Sequence, residues 1–306
     1  MARHIARRLL YSVFVLWGAL TIVFVAVRVI PGDPAQMMIG SSGTQADVAR
    51  LRHRLGLDAP IGVQYVRYLA GAVRLDFGQS LVLEEPAVQA VNERLPATGL
   101  LAASAMALGV IVGLPLGVIA ALRPRSAADY LVSVASLAGQ SVPNFWLGIM
   151  FILVFARQLR WLPSSGMGGL SHLVLPAVTL ALLLVGVLTR LVRSGLVEVA
   201  QEDYIRSAYA KGLARTSVLR KHALPNVMIP VVTVAGLQLG NLLAGAVIVE
   251  TVFAWPGAGR LLIQAIGNRD YPVVQVAVLF ITISFIVVNL LVDVSYGLLD
   301  PRVRYQ

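Results

Sequence analysis

The chain has 306 residues, 58% of them hydrophobic and 13% charged, with a mean hydropathy of +0.79 and a net charge of +10. A soluble domain carries about 25% charged residues, so this composition excludes a soluble globular protein and describes an integral membrane one. The basic residues flank apolar runs and form no aromatic-interleaved face, which argues against nucleic acid and for the anionic head groups of a lipid bilayer. There is no cysteine, so disulfides and cysteine-ligated metals are excluded.

A membrane-crossing helix needs about 20 apolar residues. Six runs reach that length: Leu9–Ile30, Ala97–Leu122, Tyr130–Ala156, His172–Leu196, Asn226–Val249 and Val273–Leu298. They predict an all-α polytopic membrane protein with six transmembrane helices. The first run follows an arginine-rich start, and its apolar core exceeds the roughly 7–15 residues of a cleaved signal. It reads as a retained span.

Residues 31–96 then form one long extracytoplasmic loop with order of its own. Thr44 followed by Asp47 marks a helix start, with Val48, Leu51 and Leu55 on one face and Gly56 as a stop. Pro60 opens a second helical pattern through Tyr65, Val66 and Leu69. Val88, Val91 and Leu95 make a third apolar stripe leading into the second span. This loop reads either as a spacer or as a cap that helps seat an external partner.

Gly109, Gly113 and Gly117 recur every four residues in the second span, as do Gly236, Gly240 and Ala244 in the fifth. Small residues at that spacing let helix backbones approach closely. The third span is interrupted at Pro143, beside the polar Gln140, Ser141 and Asn144. Such a break is tolerated where it is buried in protein or lines a wet cavity. Gln238 and Asn241 are the matching polar groups of the fifth span. These five amides and hydroxyls either tie helices together or line a path whose cargo is recognised by its peptide backbone. Beyond Glu250, the string Trp255-Pro-Gly-Ala-Gly and the helically spaced Leu261, Leu262, Ala265 and Ile266 predict a short helix at the outer face.

Orientation follows from Lys and Arg in short flanks. With the N-terminus inside, fourteen such residues fall on the cytoplasmic side against four in the short outer loops, so both termini are read as cytoplasmic. Ionisable residues stay near the span ends, as with Arg28, Arg190, Arg193 and Asp293. The four histidines have no metal-ligand spacing, and neither a phosphate-binding loop nor a nucleophile–base set occurs. No catalytic and no metal residues are assigned. The chain reads as a passage without its own ATPase or ion relay, so energy, if used, would come from another subunit.

The route for that energy is residues 197–225. The segment carries Arg206, Lys211, Arg215, Arg220 and Lys221, including both lysines of the protein. Glu202 and Asp203 near a helix start and Lys211 near its end suit the helix dipole. Gly212 can end that helix. Ala208 and Ala210 are small enough for a partner to come close, and Pro225 restarts the chain toward the fifth span.

Here the chain resembles a known family. The loose signature E-A-A-x-x-x-G, nine residues, then I-x-L-P marks the coupling loop of ABC importer permeases. Gly212 takes the glycine slot, Arg206, Ser207 and Ala208 the E-A-A slots, and His222, Ala223, Leu224 and Pro225 the last four. Arg206 and His222 depart from the generic pattern. The longer string Asp203-Tyr-Ile-Arg-Ser-Ala-Tyr-Ala-Lys-Gly-Leu, followed by Arg220-Lys-His-Ala-Leu-Pro-Asn, is similar to the dipeptide/oligopeptide branch. So are Arg28-Val-Ile-Pro-Gly-Asp-Pro, Asp76-Phe-Gly-Gln-Ser, Val142-Pro-Asn-Phe-Trp-Leu-Gly, Glu250-Thr-Val-Phe-Ala-Trp-Pro-Gly-Ala-Gly-Arg and Tyr296-Gly-Leu-Leu-Asp-Pro-Arg-Val-Arg-Tyr.

The resemblance implies a type I ABC importer permease fold with a cytoplasmic coupling helix, built as a single permease domain over 1–306. It implies a bacterial cytoplasmic membrane location. The implied partners are a homologous second permease, two cytoplasmic ATPase subunits and an extracytoplasmic substrate-binding protein. It assigns ATPase coupling to Asp203, Tyr204, Arg206, Ser207, Ala208, Lys211, Gly212, Leu224 and Pro225. ATP and Mg would bind the ATPases, leaving this chain without a cofactor. Di- or oligopeptides are the implied cargo; glutathione, haem and nickel chelates are alternatives within the branch. An ion-coupled secondary transporter, or a receptor or scaffold without a path, are the alternatives outside it.

Overall fold

The computed structural model describes residues 2–29, 44–54, 56–80 and 82–299. The Pro31–Pro34 stretch after Arg28, Leu55 and the terminal string from Asp300 lie outside them, as does the Asp293 side chain. In chain order the helices are α1 (Ala2–Val29), α2 (Gln45–Arg54), α3 (Ile61–Arg74), α4 (Ala87–Asn92), α5 (Leu95–Leu122), α6 (Ala127–Ser141), α7 (Asn144–Phe151), α8 (Leu170–Val199), α9 (Asp203–Ala210), α10 (Arg215–Val218), α11 (Leu224–Val252), α12 (Ala258–Gly267) and α13 (Tyr271–Leu299). Two π-helical turns extend this set, Ile152–Gln158 after α7 and Leu219–Ala223 between α10 and α11.

Five helical stretches are long and apolar enough to cross a membrane: Leu10–Val29, Ala87–Leu122, Leu170–Val199, Arg215–Val252 and Tyr271–Val292. The sixth is the pair Ala127–Ser141 and Asn144–Gln158, bent by 105°. The sequence suggests one kinked span over Tyr130–Ala156, and the structure divides it. Val142 is extended, with φ −88° and ψ 127°, and Pro143 follows it. A residue before proline is pushed out of the helical region, so the helix ends rather than bends.

The chain forms two compact units. The first holds Ala97–Pro256 and Val287–Gln306; the second holds Ala2–Pro96 and Gly257–Ile286.

In the first unit α8 is the spine. Leu180, Leu184, Leu188, Val192 and Leu196 run down one buried face. In a membrane lipid is as apolar as leucine, so association rests on close van der Waals packing rather than on burial itself. The α5 glycines permit it. A Cβ on Gly109 would fall 2.6 Å from Leu184 Cγ, one on Gly113 3.1 Å from Leu188 Cβ, and one on Gly117 2.6 Å from Val192 Cβ. The Thr189 hydroxyl closes the seam by donating to the Gly113 carbonyl at 3.1 Å. The glycines of α11 do not form one such seam. Gly236 faces Val292 of α13, Gly245 faces Leu180 of α8, and Ala244 is exposed.

The second unit carries the described part of the long loop, which is helical. Thr44 and Asp47 exchange main-chain and side-chain hydrogen bonds at the start of α2, the reciprocal arrangement of a capping box. The Thr44 hydroxyl's bond to the Asp47 carboxyl holds that group below its usual range. Arg28 lies over the Phe24 ring and donates to Gln64 Oε1 of α3 at 2.9 Å, and the Thr21 and Tyr65 hydroxyls meet at 2.7 Å. Ala87, Ala90 and Val91 of α4 share a core with Leu261 and Ala265 of α12. The Val88, Val91 and Leu95 stripe is interrupted, because α4 stops at Asn92 and Leu95 opens α5.

The glycine seam gives the first test. Gly117→Leu should lower the melting temperature in detergent, by about 1–3 kcal/mol of overpacking. Gly99→Leu, where a Cβ meets nothing within 4 Å, should leave it unchanged. Equal melting of both variants would contradict the seam.

Candidate functional site

The segment between α8 and α11 has one face fixed and one free. Ile205 and Ala208 of α9, Val218 of α10, and Ala223 and Val227 beyond it are buried in one core with Leu196 at the end of α8. Asp203, Arg206, Ser207 and Lys211 are exposed, and Tyr204 and Tyr209 are 43% and 47% accessible. The sequence offers Ala208 as a point of close approach; the structure turns it inward, one helical turn from Ile205, and leaves Ala210 outside.

Local chemistry explains the shape. Glu202 is extended and Asp203 opens the helix, where a carboxylate favours the dipole. Gly212 takes φ +77°, and its N–H reaches the Tyr209 carbonyl at 2.9 Å. That left-handed step is open to glycine at little cost, and it turns the chain sharply. The restart comes earlier than Pro225. Helix resumes at Arg215, passes through the Leu219–Ala223 π turn and joins α11, so Arg215–Val252 is one helical stretch. Leu224 is half-buried. Pro225, in the first turn of α11, occupies a place where a missing N–H leaves no bond unmade.

Two side chains pin the segment. Asn226 Nδ2 donates to the Tyr204 hydroxyl at 3.0 Å and to the His222 carbonyl at 2.8 Å. Arg215 Nη2 donates to the Leu122 carbonyl at the end of α5, at 2.6 Å. The exposed Arg206–Asp203 contact at 3.4 Å adds only about 0.3–0.5 kcal/mol.

Beside this segment lies a pairing that the sequence reading misses. Asp129 of α6 is buried, and both guanidinium nitrogens Nε and Nη2 of Arg193 on α8 donate to its carboxylate, the second at 2.8 Å. Arg190 donates to Gln140 Oε1 at 3.0 Å, one α8 turn before Arg193. An aspartate at the very start of an apolar run, with arginines near the end of the fourth span, is the signal that points to such a partner. A second missed group is Glu250. The sequence places it in the loop after the fifth span, yet α11 runs to Val252 and Glu250 is fully buried. Thr98 donates to its Oε1 at 2.6 Å, and Trp255 Nε1 donates to the Ala97 carbonyl at 2.9 Å. The start of α5 is thereby held to the end of α11. In the second unit, buried Ser80 and Asp270 make a hydrogen bond across 190 positions.

The polar mid-span residues divide. Gln140 Nε2 donates to the Ser136 carbonyl and Ser141 Oγ to Leu137, both within α6. Asn144 lies against Gly245 of α11. Asn241 Nδ2 donates to Gln238 Oε1 at 2.6 Å, and Asn241 is exposed. Among the described residues no group of three or more His, Cys, Asp or Glu is placed to hold a metal ion.

The ion pair yields a cycle. Asp129→Ala should cost about 3–5 kcal/mol, because it strands the Arg193 charge. Asp129→Leu combined with Arg193→Met should recover most of that loss. Thermal melting of the three proteins decides; a double variant no better than the single one would contradict a buried pair.

Comparison with known proteins agrees with this architecture. The family described as "Binding-protein-dependent transport system inner membrane component" matches residues 113–305, and its N-terminal companion matches residues 1–102. The chain is 40% identical to the glutathione transport system permease protein GsiC of Escherichia coli (strain K12), over all of both chains. It is 41% identical to the di/tripeptide transport system permease protein DppB of Pseudomonas aeruginosa (strain UCBPP-PA14), again over 100% of each. Among solved structures, a chain of the inward-facing MetNI methionine ABC transporter matches with a TM-score of 0.58 at 21% identity, covering 69% of this chain and 96% of that one. A chain of an amino acid ABC transporter matches at 0.54 and 14% identity, covering 67% and 92%. The fold is therefore that of type I ABC importer permeases, and the chain, a multi-pass permease subunit, belongs to the binding-protein-dependent transport system inner membrane component family.

Proposed function

We propose that this permease imports short peptides, driven by ATP hydrolysis in partner subunits. The observation that carries the reading is the end-to-end match to permeases named for glutathione and for di- and tripeptides. Glutathione is itself a tripeptide, so the two names share one cargo chemistry. The assembly comprises this chain as one permease domain, a homologous second permease, two cytoplasmic ATPase subunits and an external binding protein. ATP and Mg bind the ATPases. The excess of Lys and Arg supports cytoplasmic termini and a cytoplasmic α9.

In this reading α9 is the coupling helix. Its exposed face, with Asp203, Tyr204, Arg206, Ser207 and Lys211, meets the ATPase, while Ile205 and Ala208 anchor it to the core. Gly212 sets the turn that separates the docked helix from the Arg215–Val252 stretch. Displacement of α9 then acts on α11 through the Tyr204–Asn226 bond and the shared core. The translocation path follows the α11 face carrying Gln238 and Asn241, with Asn144 opposite Gly245; the exposure of Asn241 supports it. Gln140 and Ser141 border that path while holding α6. Amides bond a peptide backbone without selecting a side chain, which suits cargo of varied sequence.

Two experiments test this. With its partners reconstituted in vesicles, ATP-dependent uptake of a labelled dipeptide should be competed by unlabelled di- and tripeptides and not by haem or a nickel chelate. Uptake indifferent to every peptide would refute the cargo. Separately, Gly212→Glu should lower ATP-driven uptake by about ten-fold or more, equivalent to ~1.4 kcal/mol, at normal membrane levels. Gly212→Asn should keep most of it, since asparagine tolerates the left-handed conformation. Full activity of Gly212→Glu would remove α9 from the coupling role.

A further inference from the structure

The turn between α5 and α6 carries two arginines and is reached by a third. Arg123 and Arg125 lie on the turn, and Arg215 reaches it from 90 positions onward by bonding the Leu122 carbonyl. All three are exposed. Among the described residues none of them has a carboxylate partner. The nearby carboxylate is already committed: Asp129 takes the Arg193 guanidinium and the Arg125 main-chain N–H, the latter at 2.9 Å.

The turn is rigid. Arg125 holds φ +63°, a conformation that costs a non-glycine residue about 1–2 kcal/mol. Its N–H on Asp129 keeps it there. Ser126 caps α6 by accepting from the Asp129 N–H at 3.3 Å, and its own N–H reaches the Arg123 carbonyl at 3.2 Å.

Below the arginines runs an apolar groove of about 420 Å³ between α5, α6 and α8, whose walls include Leu108, Val112, Leu116, Leu131, Ala135 and Val185. Leu116 near the end of α5 and Leu131 near the start of α6 both line the groove, and the turn that carries Arg123 and Arg125 joins these two helices. Tyr130 and Leu131, immediately beyond the turn, are 72% and 71% exposed and extend the apolar wall outward. A hydrocarbon groove with a cationic rim at one end matches an amphiphile with an anionic head. A soluble phosphate would leave the groove empty. A partner helix would leave three guanidinium groups without counter-charge unless it supplied carboxylates near the turn.

We propose that Arg123, Arg125 and Arg215 hold the phosphate of an anionic phospholipid whose acyl chain lies in the α5–α6–α8 groove. The lipid would brace α6, which the break at Val142–Pro143 leaves without continuity to α7. Basic pockets between membrane helices are a recognised setting for such head groups.

Native mass spectrometry of the purified, assembled transporter tests this, with phosphatidylglycerol and phosphatidylcholine of equal chain length as probes. The wild type should retain phosphatidylglycerol in preference. Each guanidinium near an anionic head adds about five-fold in binding, so Arg123→Gln with Arg125→Gln should weaken retention about 25-fold. Arg123→Lys with Arg125→Lys should restore most of it. Ala135→Phe, which fills the groove and leaves the arginines intact, should reduce retention of both lipids. Glycerol phosphate in solution should fail to displace bound phosphatidylglycerol. Equal retention of the two lipids by the wild type, or indifference to the glutamine pair, would overturn the proposal. Full displacement by glycerol phosphate would overturn it too, by showing a head-group anion site alone. So would cross-linking that places a second protein helix in the groove.

Discussion

The constraint on which the first unit rests is the absence of a hydrophobic drive between helices that already sit in lipid. Leu184, Leu188 and Val192 of α8 gain nothing from leaving one apolar medium for another. They gain from contact density, and contact density requires the α5 backbone to come within reach, which glycine alone allows at Gly109, Gly113 and Gly117. The Thr189 bond to the Gly113 carbonyl exists because the backbones are that close. Once α5 and α8 are locked, their ends are fixed points. The Asp129–Arg193 pair sets α6 on α8, and the Arg215 bond to Leu122 sets the start of α10 on the end of α5.

From that spine the segment between α8 and α11 follows without a separate fold of its own. The core that begins at Leu175 continues through Leu196 to Ile205, Ala208, Val218 and Val227. An eight-residue helix such as α9 is far too short to persist alone in water. It is helical because Ile205 and Ala208 pack into the core, while its other residues are exposed. This asymmetry is what the proposed coupling role requires: a buried side held by the core and an exposed side open to a partner. Gly212 and the π turn at Leu219–Ala223 supply the change of direction, and local π turns often mark functional sites.

Features with a short-range physical signature are legible in the sequence. The glycine repeat, the Thr44–Asp47 helix start, the stop at Gly212, and the α12 helix with Leu261 and Ala265 inward all follow from spacing or turn chemistry, and each is present in the structure. Features that depend on distant partners are not legible. Asp129 and Arg193 are 64 positions apart, and Thr98 and Glu250 are 152 apart; no local pattern connects them. The interruption at Pro143 is legible but its 105° angle is not, because proline marks where a helix yields and not how far the chain then turns. Ala208 shows the same limit. Smallness suits both a partner's approach and a tight internal seat, and only the packing of α9 tells which.

The α9 helix has a face fixed in its own core, and the proposed function gives its free face to the ATPase. The chain has no native cysteine, so a single introduced thiol reports one position. Ser207→Cys and Ile205→Cys would be co-expressed with the ATPase partner carrying a thiol on its membrane-facing surface, then treated with a short bifunctional thiol reagent. Cross-linking to the ATPase through position 207, with its yield changing when ATP is trapped, and none through 205, is the outcome expected. Equal cross-linking from both positions, or cross-linking from 205 alone, would contradict the account.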